Sequence, residues 1–438
     1  MLSVRRLRLL IISYLFPPMG GIGVQRAISL SKYLPRQGFS VHVLSAANAG
    51  GPVRDEALVE HIPASVTVHR AFTPEIPFAL RHRLWSLFRS KNGGRAGGAT
   101  KGSTSKSLLS RVAQRVLCPE PEVLWTPIAL RAARRIIKKY AINAVMVTAP
   151  PFSAFMIGAR LKRENPRLTF IADFRDEWLT FYINHNEFQN NPHARKRASE
   201  IEAETVDAAD LVVAVNEFSL KEIRDRYPSQ TPSKFQCVPN GFEPAAFAEF
   251  TRRKIDDGIL RITHVGTLHG TATAQYFMKA FSSLPEQVKS RVKLRFVGRI
   301  IETEHRWLAE QSPNIELVGF VPQREAIRQM EDADILLMTM TDNLSMPGKF
   351  YEYLATGKPI LALASPASVV SRTMEETHAG WCFDPHDTEG IRGLILEART
   401  ALSAWTPSQA AASYARPNLV ELYGSLIIEA ASATRITG

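Results

Sequence analysis

Twice in this chain a short apolar run ends in a turn that carries glycine and then gives way to a helical pattern. The first run is residues 7–14. Its turn reads Phe16-Pro17-Pro18-Met19-Gly20-Gly21-Ile22-Gly23, and Val24, Ala27, Ile28, Leu30 and Leu34 follow at three- and four-residue steps. Gly38 closes that helix and a second apolar run, 39–44, begins. The other start is residues 261–265, the turn Gly266-Thr267-Leu268-His269-Gly270 and a helical segment at 274–284. Strand, tight turn, amphipathic helix and strand again is the pattern of a βαβ unit in a parallel sheet. A chain that begins it twice is read as two successive α/β domains that bind ligands in crevices.

The alternation continues in both halves. The first half predicts strands at 66–71, 144–147, 168–172, 211–215 and 235–238, with helices at 125–140, 154–163, 193–208 and 216–226. Residues 244–257 turn polar and lose apolar periodicity, which marks a linker after residue 245. The second half predicts strands at 292–297, 315–318, 335–340 and 360–363, and helices at 305–311, 323–333, 350–355, 368–377, 387–403 and 417–432. Gly380-Trp381 is read as leading into a turn. The expected domains are 1–245 and 258–416. At 438 residues the length suits two domains, and 45% hydrophobic with 22% charged residues is a globular composition.

The sequence has no run of about 18 apolar residues, so no transmembrane helix is expected. The basic and apolar start is read as a first strand and not a signal peptide, because it flows into the Gly-rich turn with no small-residue cleavage site. Cys118, Cys237 and Cys382 are dispersed, which fits a reducing cytoplasm and no zinc site. The net charge of +12 is concentrated early: residues 1–110 hold 15 Lys/Arg against 4 Asp/Glu. Such a surface attracts anionic lipid or a lipid-pyrophosphate, so a peripheral position at the inner face of a membrane is an expectation. The stretch 76–88 is amphipathic and basic, a candidate membrane contact, and 90–107 is read as a mobile low-complexity loop. Basic and aromatic residues do not interleave, and no helix-turn-helix pattern occurs, so nucleic acid is excluded as a partner.

Two stretches carry chemistry. In Ser345-Met346-Pro347-Gly348-Lys349-Phe350-Tyr351-Glu352-Tyr353-Leu354, Lys349 stands at a helix start, where a phosphate is favoured, and Glu352 one turn on suits a ribose diol. In Asp173-Phe174-Arg175-Asp176-Glu177-Trp178, charges gather at the carboxyl end of a strand, the end that faces the crevice of an open α/β sheet. Gly20, Gly21 and Gly23 allow backbone to approach a ligand, although Gly-Gly-x-Gly is not the dinucleotide fingerprint.

With these motifs in order, the chain resembles the GT-B glycosyltransferases of the group 1, family 4 retaining type. Phe16–Gly21 looks like the opening PP-x-GG turn. Thr148-Ala149-Pro150-Pro151-Phe152-Ser153 with 173–178 looks like the SPP…DFRDxW signature of a bacterial subgroup. Val238-Pro239-Asn240-Gly241-Phe242 looks like the PNG turn before the linker, and 347–359 looks like the donor motif. The resemblance implies two Rossmann-like domains facing across a cleft, with an acceptor on the first and a sugar nucleotide (UDP-, GDP- or similar) on the second. It implies that Glu352 binds ribose, that Lys349 lies near the diphosphate and that Gly20, Gly21 and Gly23 approach diphosphate or sugar. Asp173, Arg175 and Asp176 would line the acceptor side near the anomeric carbon. Asp173 or Asp176 would act as base or orient the acceptor hydroxyl. The last helix would return to the first domain. The acceptor would be a glycan or lipid-linked molecule of bacterial surface polysaccharide synthesis. No cofactor, no dedicated nucleophile and no essential metal are expected.

Two departures stand out. The family's E-x7-E pair would put its first acid at 344, which is Leu344. The turn Gly266–Gly270 lacks the Arg and Lys that clamp the diphosphate in many members. Alongside Gly266 and Thr267, the charge would come from Arg299 or Lys349, or His269 would give a hydrogen bond. These departures motivate the alternative of a non-catalytic GT-B scaffold that binds a sugar nucleotide or glycan.

Overall fold

The computed structural model describes residues 7–50, 54–74, 117–185, 189–252, 257–311 and 314–437. The segments expected to be a membrane-contacting helix (76–88) and a mobile loop (90–107) lie outside the described residues. The chain divides into two compact units, Met1–Val238 with Val420–Gly438, and Pro239–Leu419.

The first unit is built on a seven-stranded sheet. Its strands are β1 (Arg8–Ser13), β2 (Ser40–Ala46), β3 (Thr67–Ala71), β4 (Ala144–Ala149), β5 (Thr169–Phe174), β6 (Leu211–Ala214) and β7 (Phe235–Cys237). All pairings are parallel, in the order β3-β2-β1-β4-β5-β6-β7. Every residue of β4, β5 and β6 is buried, as a strand covered on both faces must be. The helices between them begin as their sequences dictate. α1 (Gln25–Tyr33) follows the Gly-rich turn, and Gly38 ends the helical stretch at φ 88°. α2 (Thr126–Tyr140) and α3 (Phe155–Glu164) flank β4. Asn191 caps α4 (Pro192–Ala208) by accepting from Ala194 N–H, and Asn216 caps α5 (Glu217–Arg226) by accepting from Ser219 N–H.

The second unit repeats the plan on six parallel strands: β8 (Leu260–Val265), β9 (Val292–Val297), β10 (Ile315–Gly319), β11 (Ile335–Met340), β12 (Ile360–Ala364) and β13 (Gly380–Phe383), ordered β10-β9-β8-β11-β12-β13. Its helices include α6 (Gln275–Ser282), α7 (Glu302–Ala309), α8 (Gln323–Glu331), α9 (Gly348–Thr356) and α10 (Val369–Thr377). β13 corrects the sequence reading, which took Gly380-Trp381 as the approach to a turn. Its four residues are half-buried and pair at the sheet edge with β12, so no alternation betrays them. Likewise 387–403 is not one helix: it breaks at Glu397 into Thr388–Leu396 and Ala398–Ser403.

Both sheets reverse strand order between their first and fourth strands, β1/β4 and β8/β11. In an open α/β sheet that switch point is where a crevice opens at the carboxyl ends. The turn 239–242 belongs to the second unit because Phe242 N–H donates to Tyr414 O (3.1 Å) and Arg416 Nε donates to Gly241 O (3.1 Å). The last helix, α11 (Arg416–Thr437), carries Tyr423 into the first unit's core.

Candidate functional site

On the second unit the candidate residues collect around β8, β11 and α9. β8 and β11 pair only at Ile262 and Thr263 and then part. Tyr353 of α9, fully buried, fills the gap: its hydroxyl accepts from Val265 N–H at 2.6 Å and lies 3.0 Å from Val265 O and 3.3 Å from Leu337 O. These bonds satisfy backbone groups that the parting strands would otherwise leave bare. α9 begins at Gly348, two residues before the sequence-based expectation. Lys349 Nζ and Glu352 Oε2 form an ion pair at 2.5 Å, and Gln323 Nε2 donates to Glu352 Oε1 at 3.2 Å. Both charged side chains keep partial exposure, 30% and 13%. A cation and a carboxylate are therefore held together at one helix start.

The turn after β8 shows Thr267 and His269 to solvent and buries Leu268. It is pinned to the next strand end, with Gly266 N–H on Val297 O (2.8 Å) and Leu268 N–H on Arg299 O (2.9 Å). Gly298 has φ 132°, and a Cβ there would stand 1.9 Å from Gly266 O, so only glycine fits. The exposed Arg299 guanidinium lies over the Phe320 ring at 5.2 Å. Leu344 stands where the acid is missing. Its N–H is held by Asp342 Oδ1 at 3.1 Å, and Ser345 N–H is held by the same oxygen at 2.7 Å. Sequence reasoning treated Tyr353 only as part of a motif and passed over His264, the one signal for which was a polar residue inside an apolar strand.

On the first unit the charged stretch 173–178 separates into different tasks. β5 runs two residues further than expected, so Asp173 is in the strand and fully buried. Its Oδ1 takes Arg26 Nη1 (3.1 Å) and the Tyr423 hydroxyl (2.6 Å), and its Oδ2 takes the Thr148 hydroxyl (2.6 Å). Arg26 also donates to Tyr423 Oη (2.6 Å) and Val238 O (2.8 Å). Asp173 is thus corrected from base or acceptor-orienting residue to the buried anchor of α1, β4 and α11. Arg175 donates to Ala149 O (3.2 Å), Pro150 O (2.6 Å) and Gly23 O, tying the Pro-Pro loop to the Gly-rich turn. Its guanidinium is occupied by carbonyls, so the structure gives it a bracing role where a catalytic one was expected. Gly21 takes φ 90° and is exposed, and Gly20 and Gly23 are half-buried. Asp176 is exposed and is the acid of this group that faces solvent.

The remaining two residues are structural. Glu177 caps the following turn through Thr180 N–H (2.6 Å) and Phe181 N–H (2.7 Å) and pairs with Arg226 at 2.7 Å. Arg226 also holds Glu202, whose burial pushes its carboxyl up to about 7 although the guanidinium opposes this. Trp178 stacks on Phe152 at 4.6 Å and donates to Gln189 (2.9 Å), which in turn donates to Glu120 (2.9 Å). Among the described residues no group of three His, Cys, Asp or Glu could hold a metal ion, and no helix is long and apolar enough to cross a membrane.

Residues 260–398 match the family model for glycosyl transferases group 1, and residues 95–246 match that for glycosyltransferase family 4. Two segments of the chain thus match glycosyltransferase domain models. The family 4 match covers β4 to β7 with Asp173 and Asp176, and the group 1 match covers β8 to β13 with Lys349 and Glu352. A probable glycosyltransferase of Pseudomonas aeruginosa, WbjE, is 31% identical over 93 residues, which are 20% of this chain and 23% of that protein. The match therefore spans about a quarter of that relative. The apo lipopolysaccharide outer core galactosyltransferase WaaB superposes with TM-score 0.56 at 11% identity, over 98% of this chain and 99% of that one. HepE of Anabaena, in complex with UDP and glucose, gives TM-score 0.58 at 14% identity, over 96% and 99%. At these identities the likeness shows the fold, and the fold is GT-B.

Proposed function

We propose that this chain moves a glycosyl group from a nucleotide-diphosphate sugar to a glycan or lipid-linked acceptor of bacterial surface polysaccharide synthesis, with retention at the anomeric carbon. The observation that carries the reading is the Lys349–Glu352 pair at the start of α9, inside the group 1 domain, with Gln323 fixing the carboxylate. Glu352 grips the ribose diol. Lys349 and the first N–H groups of α9 stabilise the departing diphosphate, the charge that grows in the transition state. The solvent-facing Asp176 orients the acceptor hydroxyl, and the leaving phosphate assists its deprotonation on the same face. HepE, solved with UDP and glucose, and WaaB, a lipopolysaccharide outer core galactosyltransferase, support the substrate classes.

The test is a panel of UDP-, GDP-, ADP- and dTDP-sugars, read by thermal shift and by release of the nucleotide diphosphate. One donor is expected to raise the melting temperature and to be hydrolysed or transferred. A panel that produces no shift removes the donor reading. Binding without turnover on any glycan or lipid-linked acceptor favours the non-catalytic scaffold, which the Leu344 substitution motivates. The early basic excess supports a position at an anionic membrane surface. Co-sedimentation with phosphatidylglycerol vesicles should fall steeply between low and about 0.5 M salt, where screening shortens to a few ångströms. Binding that ignores salt refutes that placement.

A further inference from the structure

His264 sits on β8, 7% exposed, two residues before the Gly266 turn. Its Nδ1 lies 3.0 Å from Leu337 O, and a carbonyl only accepts, so Nδ1 carries the hydrogen and Nε2 the lone pair. Nε2 is buried and has no partner among the described residues. The ring occupies the gap where β8 and β11 part, beside the Tyr353 hydroxyl, which approaches the same Leu337 carbonyl. A Cβ built on Gly266 would meet His264 Nε2 at 3.1 Å and Cε1 at 3.5 Å, and no other atom outside its chain neighbours within 4 Å. The nitrogen therefore lies directly beneath the turn, where glycine puts no side chain against it.

This is the turn that lacks arginine and lysine. Arg299 lies over Phe320, and Lys349, which the donor reading sets against the diphosphate, shares its charge with Glu352, so the turn itself supplies none. We propose that His264 is the inducible counter-charge of the donor diphosphate: when a nucleotide sugar settles on the Gly266 turn, Nε2 takes a proton from solvent and donates it as a hydrogen bond to a phosphate oxygen. This rests on the donor reading above. A fixed cation at so buried a place would cost several kcal/mol in the empty protein. A histidine avoids that cost by staying neutral until the anion arrives. Burial holds it down at about 4, opposed only by the Leu337 carbonyl. The titratable groups on neighbouring elements are His269 of the same turn, Arg299 after β9, Glu304 on α7, and Lys349 and Glu352 on α9; none contributes to that value. An opposite charge within a few ångströms raises such a group by roughly 1–3 units. The bound form is then protonated at mildly acid pH, and the free form is not. A pKa raised by binding makes affinity grow as pH falls.

The experiment is calorimetry of the full chain with UDP-glucose, UDP-galactose and GDP-mannose at pH 6, 7 and 8, in two buffers of different ionisation enthalpy. Their diphosphate diesters do not titrate in this range. The tightest binder should bind up to about tenfold better at pH 6 than at pH 8, with net proton uptake. His264→Phe, which keeps a ring beside Phe296, should bind more weakly with a flat profile and no uptake. His305→Asn, at an exposed position on α7, should keep both. Ring nitrogen NMR of histidine-labelled wild type should show one imidazole becoming an imidazolium on ligand addition, a reading that needs no variant. Binding with no pH slope and no uptake overturns the role of His264 alone. No binding of any sugar nucleotide at any pH overturns the donor reading together with it.

Discussion

Asp173→Ala is expected to destabilise the first unit by about 3–5 kcal/mol, the loss seen when one partner of a buried ion pair is removed and the other charge is left behind. The pair is Arg26–Asp173 at 3.1 Å, with side chains 6% and 0% exposed. Removing the carboxylate takes away the ion-pair partner of buried Arg26 and leaves the Thr148 hydroxyl without that acceptor. Asp173→Asn keeps oxygen and size but loses the charge, and should cost less. Tyr423→Phe removes a hydroxyl bonded to both charges and should cost about 1.5–3 kcal/mol. Urea unfolding checks all three. If Asp173 were instead a base for the acceptor, Asp173→Asn would unfold at the wild-type midpoint and lose turnover. An unchanged midpoint for Asp173→Ala would refute the anchor.

That anchor shows where local reading of the sequence stops. The four charged residues from Asp173 to Glu177 look alike on paper, gathered at one strand end. What separates them lies far along the chain. Asp173 is buried because Arg26 and Tyr423, 147 and 250 residues away, neutralise it. Asp176 faces solvent and feels Arg175 and Arg26 only through space. The alternation of apolar runs and amphipathic helices was enough to expect both parallel sheets, because strands covered on both faces must be apolar throughout. It was not enough for β13, which is short, half-buried and starts at a glycine with φ 145°. On α9 the meeting of Lys349 and Glu352 was legible, since helix geometry places positions three apart on one side. Tyr353 was not, because its role depends on two strands parting at Thr263, a property of the sheet and not of the helix that carries it.

Glu352→Ala is expected to cut kcat/KM for the donor by roughly 10- to 150-fold, the range of about 1.5–3 kcal/mol for hydrogen bonds to a charged group. Glu352 accepts from Gln323 and Lys349 in the free protein, and both contacts lie at the half-buried rim of α9. The fold should therefore tolerate the change, with a melting temperature close to wild type. The loss has a signature that damage would not produce. If the carboxylate grips the ribose diol, wild type should discriminate strongly against a 2′,3′-dideoxy donor, and Glu352→Ala should not. Lys349→Ala acts on the other group. It removes a phosphate charge, so it should weaken donor binding for both ribose and dideoxyribose donors and reduce the salt dependence of binding. Combining the two changes should give less than the sum of the separate losses, because each side chain holds the other in place across 2.5 Å. A Glu352→Ala variant that still rejects the dideoxy donor would move the ribose contact elsewhere on the second unit.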